Sequence, residues 1–147
     1  MSGSRKVLVT GIGGFVGSHL ARELLENGYR IEGTVFTDAD VENAKKLTAD
    51  EDFEIREEDI HHCDIRDSEA VEALIGRSAP DCLVHLAAVT FVPASMENPK
   101  DTFETNLFGT MNLLNAMKSR GPDASVLYVS SSEVYGLVAE EDMPMAE

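Results

Sequence analysis

The first strand-like run of this sequence ends in TGIGGFVG, residues 10–17, whose glycines at 11, 14 and 17 are spaced three and three. Glycines at such a turn let the chain bend tightly and let a phosphate approach the backbone. A helix starting there adds free N–H groups and the positive end of its dipole. That is chemistry suited to a pyrophosphate. The spacing departs from G-x-G-x-x-G, because Gly11 and Gly13 fit it but position 16 is Val16. A glycine-rich turn can also be merely structural. Its place after a strand and before a helix, at the head of a βαβ unit, is what points to a dinucleotide. Near the other end, SSSEVYG (residues 130–136) brings serine hydroxyls, Glu133 and the Tyr135 phenol together like the lip of an active site.

Other reactive side chains point to less. HHCD (residues 61–64) contains metal-ligating types. It lies in a strand-like run, where neighbours alternate faces, so His61 and His62 cannot readily share an ion, and no metal is expected. Cys63 and Cys82 form neither a disulfide framework nor a metal spacing, and their apolar surroundings suggest buried free thiols.

The elements that must position these residues alternate between strand and helix. KVLVT (Lys6–Thr10) reads as a strand buried on both faces. Val16, Leu20, Leu24 and Leu25 mark one helical stripe, stopped by Asn27-Gly28. RIEGTVF is a second strand, followed by a short polar helix from about Asp40 to Leu47 with Asp38 or Asp40 as its cap. FEIREEDIHHCDI holds a third strand of undefined limits. DSEAVEALIGR is a helix capped by Asp67 or Ser68, and DCLVHLAAV is a fourth strand. Asn98-Pro99 opens a long helix with the stripe Phe103, Leu107, Met111, Leu114 and Met117, and SVLYVS is a fifth strand. The expected fold is therefore α/β: a Rossmann-type, doubly wound parallel sheet of at least five strands with helices on both faces. Ligands in such sheets bind beyond the carboxyl ends of strands, so the ends to inspect follow Thr10, Phe36, Cys63, Leu86 and Ser130.

A chain of 147 residues suits one domain, and 43% hydrophobic residues suit a globular core. The net charge of −15 argues against nucleic-acid or anionic-membrane partners. Acidic residues crowd the stretch from Asp38 to Glu72, and no Lys or Arg follows Arg120. Any phosphate site must then use local backbone donors. No apolar run reaches the roughly 18 residues of a membrane span, and MSGSRKVLVTG enters a strand without a signal-peptide core. A cytoplasmic location is the expectation.

VTGIGGFVGSHLARELLENGY resembles the start of an extended short-chain dehydrogenase/reductase, with the fingerprint T-G-x-x-G-F-x-G. CDIRD, HLAA, NPKDTFETNLFGTMNLLNAM and VSSSEVYG match the same epimerase/dehydratase family in the same order and cover nearly the whole chain. Ser-Ser-Glu and the NPKDTFETNLFGT helix start are most similar to the GDP-sugar members, the 4-keto-6-deoxymannose reductases first and the mannose 4,6-dehydratases second.

The resemblance implies a cofactor site at Gly11, Gly14, Phe15, Val16 and Gly17. It implies that Asp64 and Ile65 hold adenine and that Leu86, Ala87 and Ala88 lie along the cofactor. Asn106 would help order the site, or be a helix-surface residue. The cofactor is expected to be NADP or NAD. The position aligned with the NAD-selecting carboxylate is the uncharged Val35, which tips the expectation towards NADP, although no arginine is expected nearby to attract the phosphate and Asp38 could reach the ribose or cap the next helix. The resemblance implies catalytic roles for Ser131, which matches the serine that hydrogen-bonds the reacting oxygen, and for Glu133, which matches the acid/base glutamate of dehydratase-like members; in a reductase Glu133 would instead contact the sugar or have no chemical role.

The family's proton-transfer pair is Tyr-x-x-x-Lys, the lysine being needed because a phenol of pKa about 10 is otherwise a poor base near neutrality. Tyr29, Tyr128 and Tyr135 are followed four residues later by Gly33, Ser132 and Ala139. The pair is expected beyond Glu147, together with the C-terminal region that binds the nucleotide-sugar. The 147 residues are thus expected to be the dinucleotide-binding part of a longer enzyme, inactive alone. The parent reaction would be reduction of a GDP-4-keto-6-deoxy-sugar. A 4-epimerase, a 4,6-dehydratase and a non-catalytic nucleotide-binding domain stay open. A homodimer through the long helix is the expected assembly, with packing on its own sheet the simplest other use of that helix's stripe.

Overall fold

Strand β1 (Lys6–Thr10) is the centre of the molecule, and its Leu8, Val9 and Thr10 are fully enclosed. The computed structural model describes residues 4–48 and 55–143. Around β1 the chain lays down α1 (Phe15–Glu26), β2 (Arg30–Val35), α2 (Asp38–Thr48), β3 (Ile60–His62), α3 (Ser68–Ser78) and β4 (Cys82–His85). Then come α4 (Val92–Glu97), α5 (Pro99–Phe103), a π-helical turn (Glu104–Gly109), α6 (Thr110–Lys118) and β5 (Ser125–Tyr128). The strands form one parallel sheet in the order β3-β2-β1-β4-β5. The strand order reverses between β1 and β4, the topological switch of the doubly wound fold.

Alternating side chains of β1 divide the core. Val7 and Val9 face α1 and α2, packing with Ala21, Ile31, Val35 and Ala44. Leu8 faces α3 and α6, packing with Val71, Ile75, Leu83 and Leu113. The helices start where local chemistry allows. Asp67 caps α3 by accepting N–H bonds from Glu69 (3.0 Å) and Ala70 (3.1 Å). The cap of α2 is Thr37 rather than Asp38 or Asp40. Its hydroxyl accepts the Asp40 N–H (3.3 Å), while the Asp40 carboxylate accepts the Thr37 N–H (2.9 Å), a reciprocal box.

The third strand, whose limits the sequence leaves open, is Ile60–His62, preceded by a 3₁₀ turn at Glu57–Asp59. Three expectations are corrected. The long helix is not continuous, since the π turn interrupts it and the separate α4 precedes it. Its stripe of large residues does not cover the sheet: Phe103, Leu107, Met111 and Leu114 are 42–59% exposed, and only Met117 is buried. The core face is instead Gly109, Leu113, Ala116 and Met117. Smaller residues let this helix come close, and a Cβ on Gly109 would stand 2.7 Å from the Ile65 side chain. Finally, helices do not cover β5. No described helix packs over Val126, Leu127 and Tyr128, which are 37–56% exposed.

The two faces of α6 can be separated by truncation. Leu113→Ala is expected to cost about 2–5 kcal/mol, as for a fully enclosed leucine. Leu114→Ala should change stability by no more than about 0.5 kcal/mol, as for a surface position. Urea unfolding of the two variants checks this, and equal losses would contradict the assignment of faces.

Candidate functional site

A cavity of about 450 Å³ opens at the carboxyl end of the sheet, lined by the segments after β1, β2, β3 and β4. Its size lies within the roughly 300–1,000 Å³ of small-molecule sites. Four of the five strand ends named from topology therefore meet in one place.

The glycine turn forms its floor. Gly11 has φ +71°, and a Cβ there would lie 3.1 Å from the Ala87 backbone, so β1 and the chain leaving β4 touch at that point. Gly17 stands so close to the preceding turn that a Cβ would be 2.3 Å from the Gly11 carbonyl oxygen. The constraint at Gly14 is milder, at 3.2 Å from the same oxygen. Gly13, which the three-and-three spacing passes over, is tighter than either. A Cβ there would be 2.2 Å from the Asp40 carbonyl oxygen, because the start of α2 packs on the turn. Gly14 is the N-cap of α1 and supplies no side-chain cap. The N–H groups of the first turn, at Phe15, Val16 and Gly17 on the cavity wall, are thus left to an external acceptor.

The opposite wall is fixed by a directed hydrogen-bond chain. The Thr10 hydroxyl oxygen accepts N–H bonds from Leu86 (3.1 Å) and Ala87 (3.2 Å). Its own proton then goes to His85 Nδ1, 2.7 Å away. His85 must therefore carry its proton on Nε2, which donates to the Thr110 hydroxyl at 2.9 Å. Thr110 passes its proton to the Asn106 carbonyl at 2.7 Å, competing for the acceptor of a normal helical turn where the π turn occurs. The Asn106 amide clasps Val89, accepting its N–H at 2.7 Å and donating to its carbonyl at 2.9 Å. Asn106 is thus neither a wall residue nor an idle surface group. It holds the segment Leu86, Ala87 and Ala88, which does line the cavity.

Asp64 and Ile65 also line the cavity. The Asp64 carboxylate accepts from the Arg66 backbone N–H (3.0 Å), Nε (2.9 and 3.0 Å) and Nη2 (2.7 Å). The guanidinium holds Asp64 below the usual carboxylate range. Arg66 also reaches Asp101 at 2.6 Å and lies over the Phe36 ring, 5.4 Å from its centre. An arginine does therefore stand beside the end of β2. It comes from the loop after β3, distant from Val35 in sequence, which corrects the expectation that no arginine is nearby.

Ser131 and Glu133 are not on the cavity wall. Both are exposed on the 3₁₀ turn (Ser132–Tyr135) beyond the edge strand, where the Ser131 hydroxyl accepts the Glu133 N–H at 3.2 Å. The cysteines are half-buried rather than buried. Cys63 lines the cavity, and partial burial pushes its thiol up. His61 pairs with Glu32 (2.9 Å) and His62 with Asp38 (3.5 Å). Among the described residues, no three His, Cys, Asp or Glu side chains are grouped to hold a metal ion. Nor is any described helix long and apolar enough to cross a membrane.

The family model for GDP-mannose 4,6-dehydratase matches residues 8–147. The chain belongs to this family of nucleotide-sugar enzymes. It is 48% identical over 68 residues to the GDP-6-deoxy-D-mannose reductase of Pseudomonas aeruginosa, covering 46% of this chain and 22% of that one. The UDP-glucose 4-epimerase of Thermus thermophilus, solved with NAD, superposes with a TM-score of 0.74 at 33% identity, over 92% of this chain and 40% of that one. RMD from Pseudomonas aeruginosa, solved with NADPH, gives 0.68 at 32% identity, over 98% and 40%. The chain thus spans less than half the length of each of these relatives. The relatives that this chain matches include epimerases, dehydratases and reductases.

His85 supplies the titration signature of this wall. Burial pushes its pKa down to about 4, from an ordinary value of 6.5. The unfolded chain therefore takes up a proton first as pH falls, and stability is expected to drop from about pH 6.5 towards pH 4. His85→Asn, which has an acceptor and a donor but no titration, should flatten that part of the curve. Urea unfolding across this range checks it, and an unchanged slope in the variant would contradict it.

Proposed function

We propose that the 147 residues form one dinucleotide-binding domain of a longer enzyme that modifies nucleotide-sugars. What supports this reading most is the meeting of four strand ends on one cavity into which α1 delivers uncapped N–H groups. Gly11, Gly14, Phe15, Val16 and Gly17 would hold the pyrophosphate of NAD or NADP. Asp64 and Ile65 would receive the adenine, and Leu86, Ala87 and Ala88 would lie along the ribose and nicotinamide. Asn106 acts on this site through Val89. A nicotinamide cofactor supplies a hydride acceptor or donor. The residues here bind it, orient it and bring the backbone close enough to exclude water.

The reaction we favour is reduction of a GDP-4-keto-6-deoxy-sugar. It is supported by the 48% identity to a GDP-6-deoxy-D-mannose reductase over 68 residues. A 4-epimerase is the second reading, supported by the superposition on the Thermus thermophilus enzyme. Ser131 and Glu133 would meet the sugar from the turn beyond β5, where their exposure leaves them accessible. The exposed stripe of Phe103, Leu107, Met111 and Leu114 would be covered by a second copy in the assembled enzyme. No tyrosine in the sequence has a lysine four residues on, so the chain alone should bind without turnover.

Calorimetric titration with NAD, NADP and ADP-ribose tests the domain's role. All three should compete for one site, and Gly17→Val should remove it. A GDP-4-keto-6-deoxymannose assay with reduced cofactor should show no turnover by the chain alone. Turnover would contradict this division of roles, and absence of any dinucleotide binding would contradict the cofactor site itself.

A further inference from the structure

The cavity has an unusual charge pattern at the end nearest β2. The charged residues on its described walls are Asp40, Asp64, Asp101 and Arg66, three carboxylates against one guanidinium. The cation is already engaged. Arg66 gives Nε and Nη2 to Asp64 and Nη1 to Asp101, using at least three of its five N–H bonds. Its plane lies over Phe36, the residue that follows β2. Asp40 is fixed on the other side of that strand end by Thr37, whose N–H and hydroxyl donate to it at 2.9 and 2.8 Å.

We propose that Asp64 and Asp101 hold Arg66 in a charge-paired state that makes this site select NAD over NADP, with Asp101 the specificity-determining residue. The inference rests on the dinucleotide reading above and concerns its adenosine ribose. In doubly wound folds the 2′ position lies at the end of β2, where an arginine can accommodate the 2′-phosphate. Here the guanidinium reaches that place with its charge offset by two carboxylates, and Asp40 adds a third. A 2′-phosphate brings about −1.5 to −2 charges near neutrality, comparable to phosphoserine. It would enter a rim of formal charge −2, the one cation against three anions, on a chain of net charge −15. A 2′-hydroxyl meets no such opposition and can donate to a carboxylate. On this reading the cofactor is not decided at the uncharged Val35. The selecting carboxylates come from the loop after β3 and from the start of α5 instead.

The test compares NAD with NADP in calorimetric titrations of the purified chain at about 0.02 M and 0.5 M salt. Binding of NAD tighter by at least about tenfold at low salt, narrowing at high salt as the charges are screened, is expected. Asp101→Asn leaves Arg66 paired once and should narrow the low-salt ratio several-fold. Asp40→Asn, at the far side of the strand end, should narrow it independently. Circular dichroism confirms that each variant is folded. Equal or tighter NADP binding at low salt in the unmodified chain overturns the inference and leaves the dinucleotide site standing. A ratio that neither variant changes overturns its electrostatic basis. Failure of both nucleotides to bind overturns the site and this inference together.

Discussion

The organisation of the molecule depends on the junction where β1 and β4 run side by side and then part. Thr10 is fully enclosed there and has one hydroxyl proton. Two backbone N–H groups arrive at its oxygen from Leu86 and Ala87, so that proton can go only to His85. This single assignment orients the imidazole, and through Thr110 and Asn106 it reaches Val89. An unpaired polar group at this depth would cost on the order of 1–3 kcal/mol, so the chain tends to be complete or to fail together. It keeps one wall of the cavity in place without any side chain entering the space. The lowered pKa of His85 follows from the same burial.

Absence of side-chain volume shapes the other wall. Gly11 touches the chain leaving β4, Gly13 touches the start of α2, and Gly17 touches the turn beneath it. These contacts draw β1, β4 and two helices towards one point, and α1 begins there without a side-chain cap. The uncapped N–H groups at the start of α1, on which the proposed pyrophosphate site rests, stand where these contacts converge. This local positive end matters because the chain as a whole carries −15.

Much of this was legible in sequence. Five strands, their parallel sense and four of the strand ends named from topology follow from short apolar runs alternating with helical stripes, while the strand order was not read from the sequence. Asp67 as a cap was legible because its contacts are local. The misreadings share a cause, which is competition decided in three dimensions. The helix around residue 110 is apolar over two faces, and periodicity alone picked the bulkier one. The sheet preferred Gly109, Leu113 and Ala116, whose small members allow close approach to Ile65. Gly13 was passed over because its neighbour, Asp40, is distant in sequence. Arg66 was missed beside β2 for the same reason. Ser131 and Glu133 are no misreading of this kind: they were read as sugar-facing rather than cofactor-facing, and they follow β5 outside the cavity wall.

A dinucleotide held at the ends of β1, β2, β3 and β4 would leave the segment beyond β5 untouched. Backbone amide chemical shifts recorded during titration with NAD can separate the two regions. Saturable shifts are expected at Gly11 to Gly17, Asp64, Ile65 and Leu86 to Ala88, with Val89 following through Asn106 and with Ser131 and Glu133 unmoved. Shifts centred on Ser131 to Tyr135, with the glycine turn unaffected, would contradict that placement.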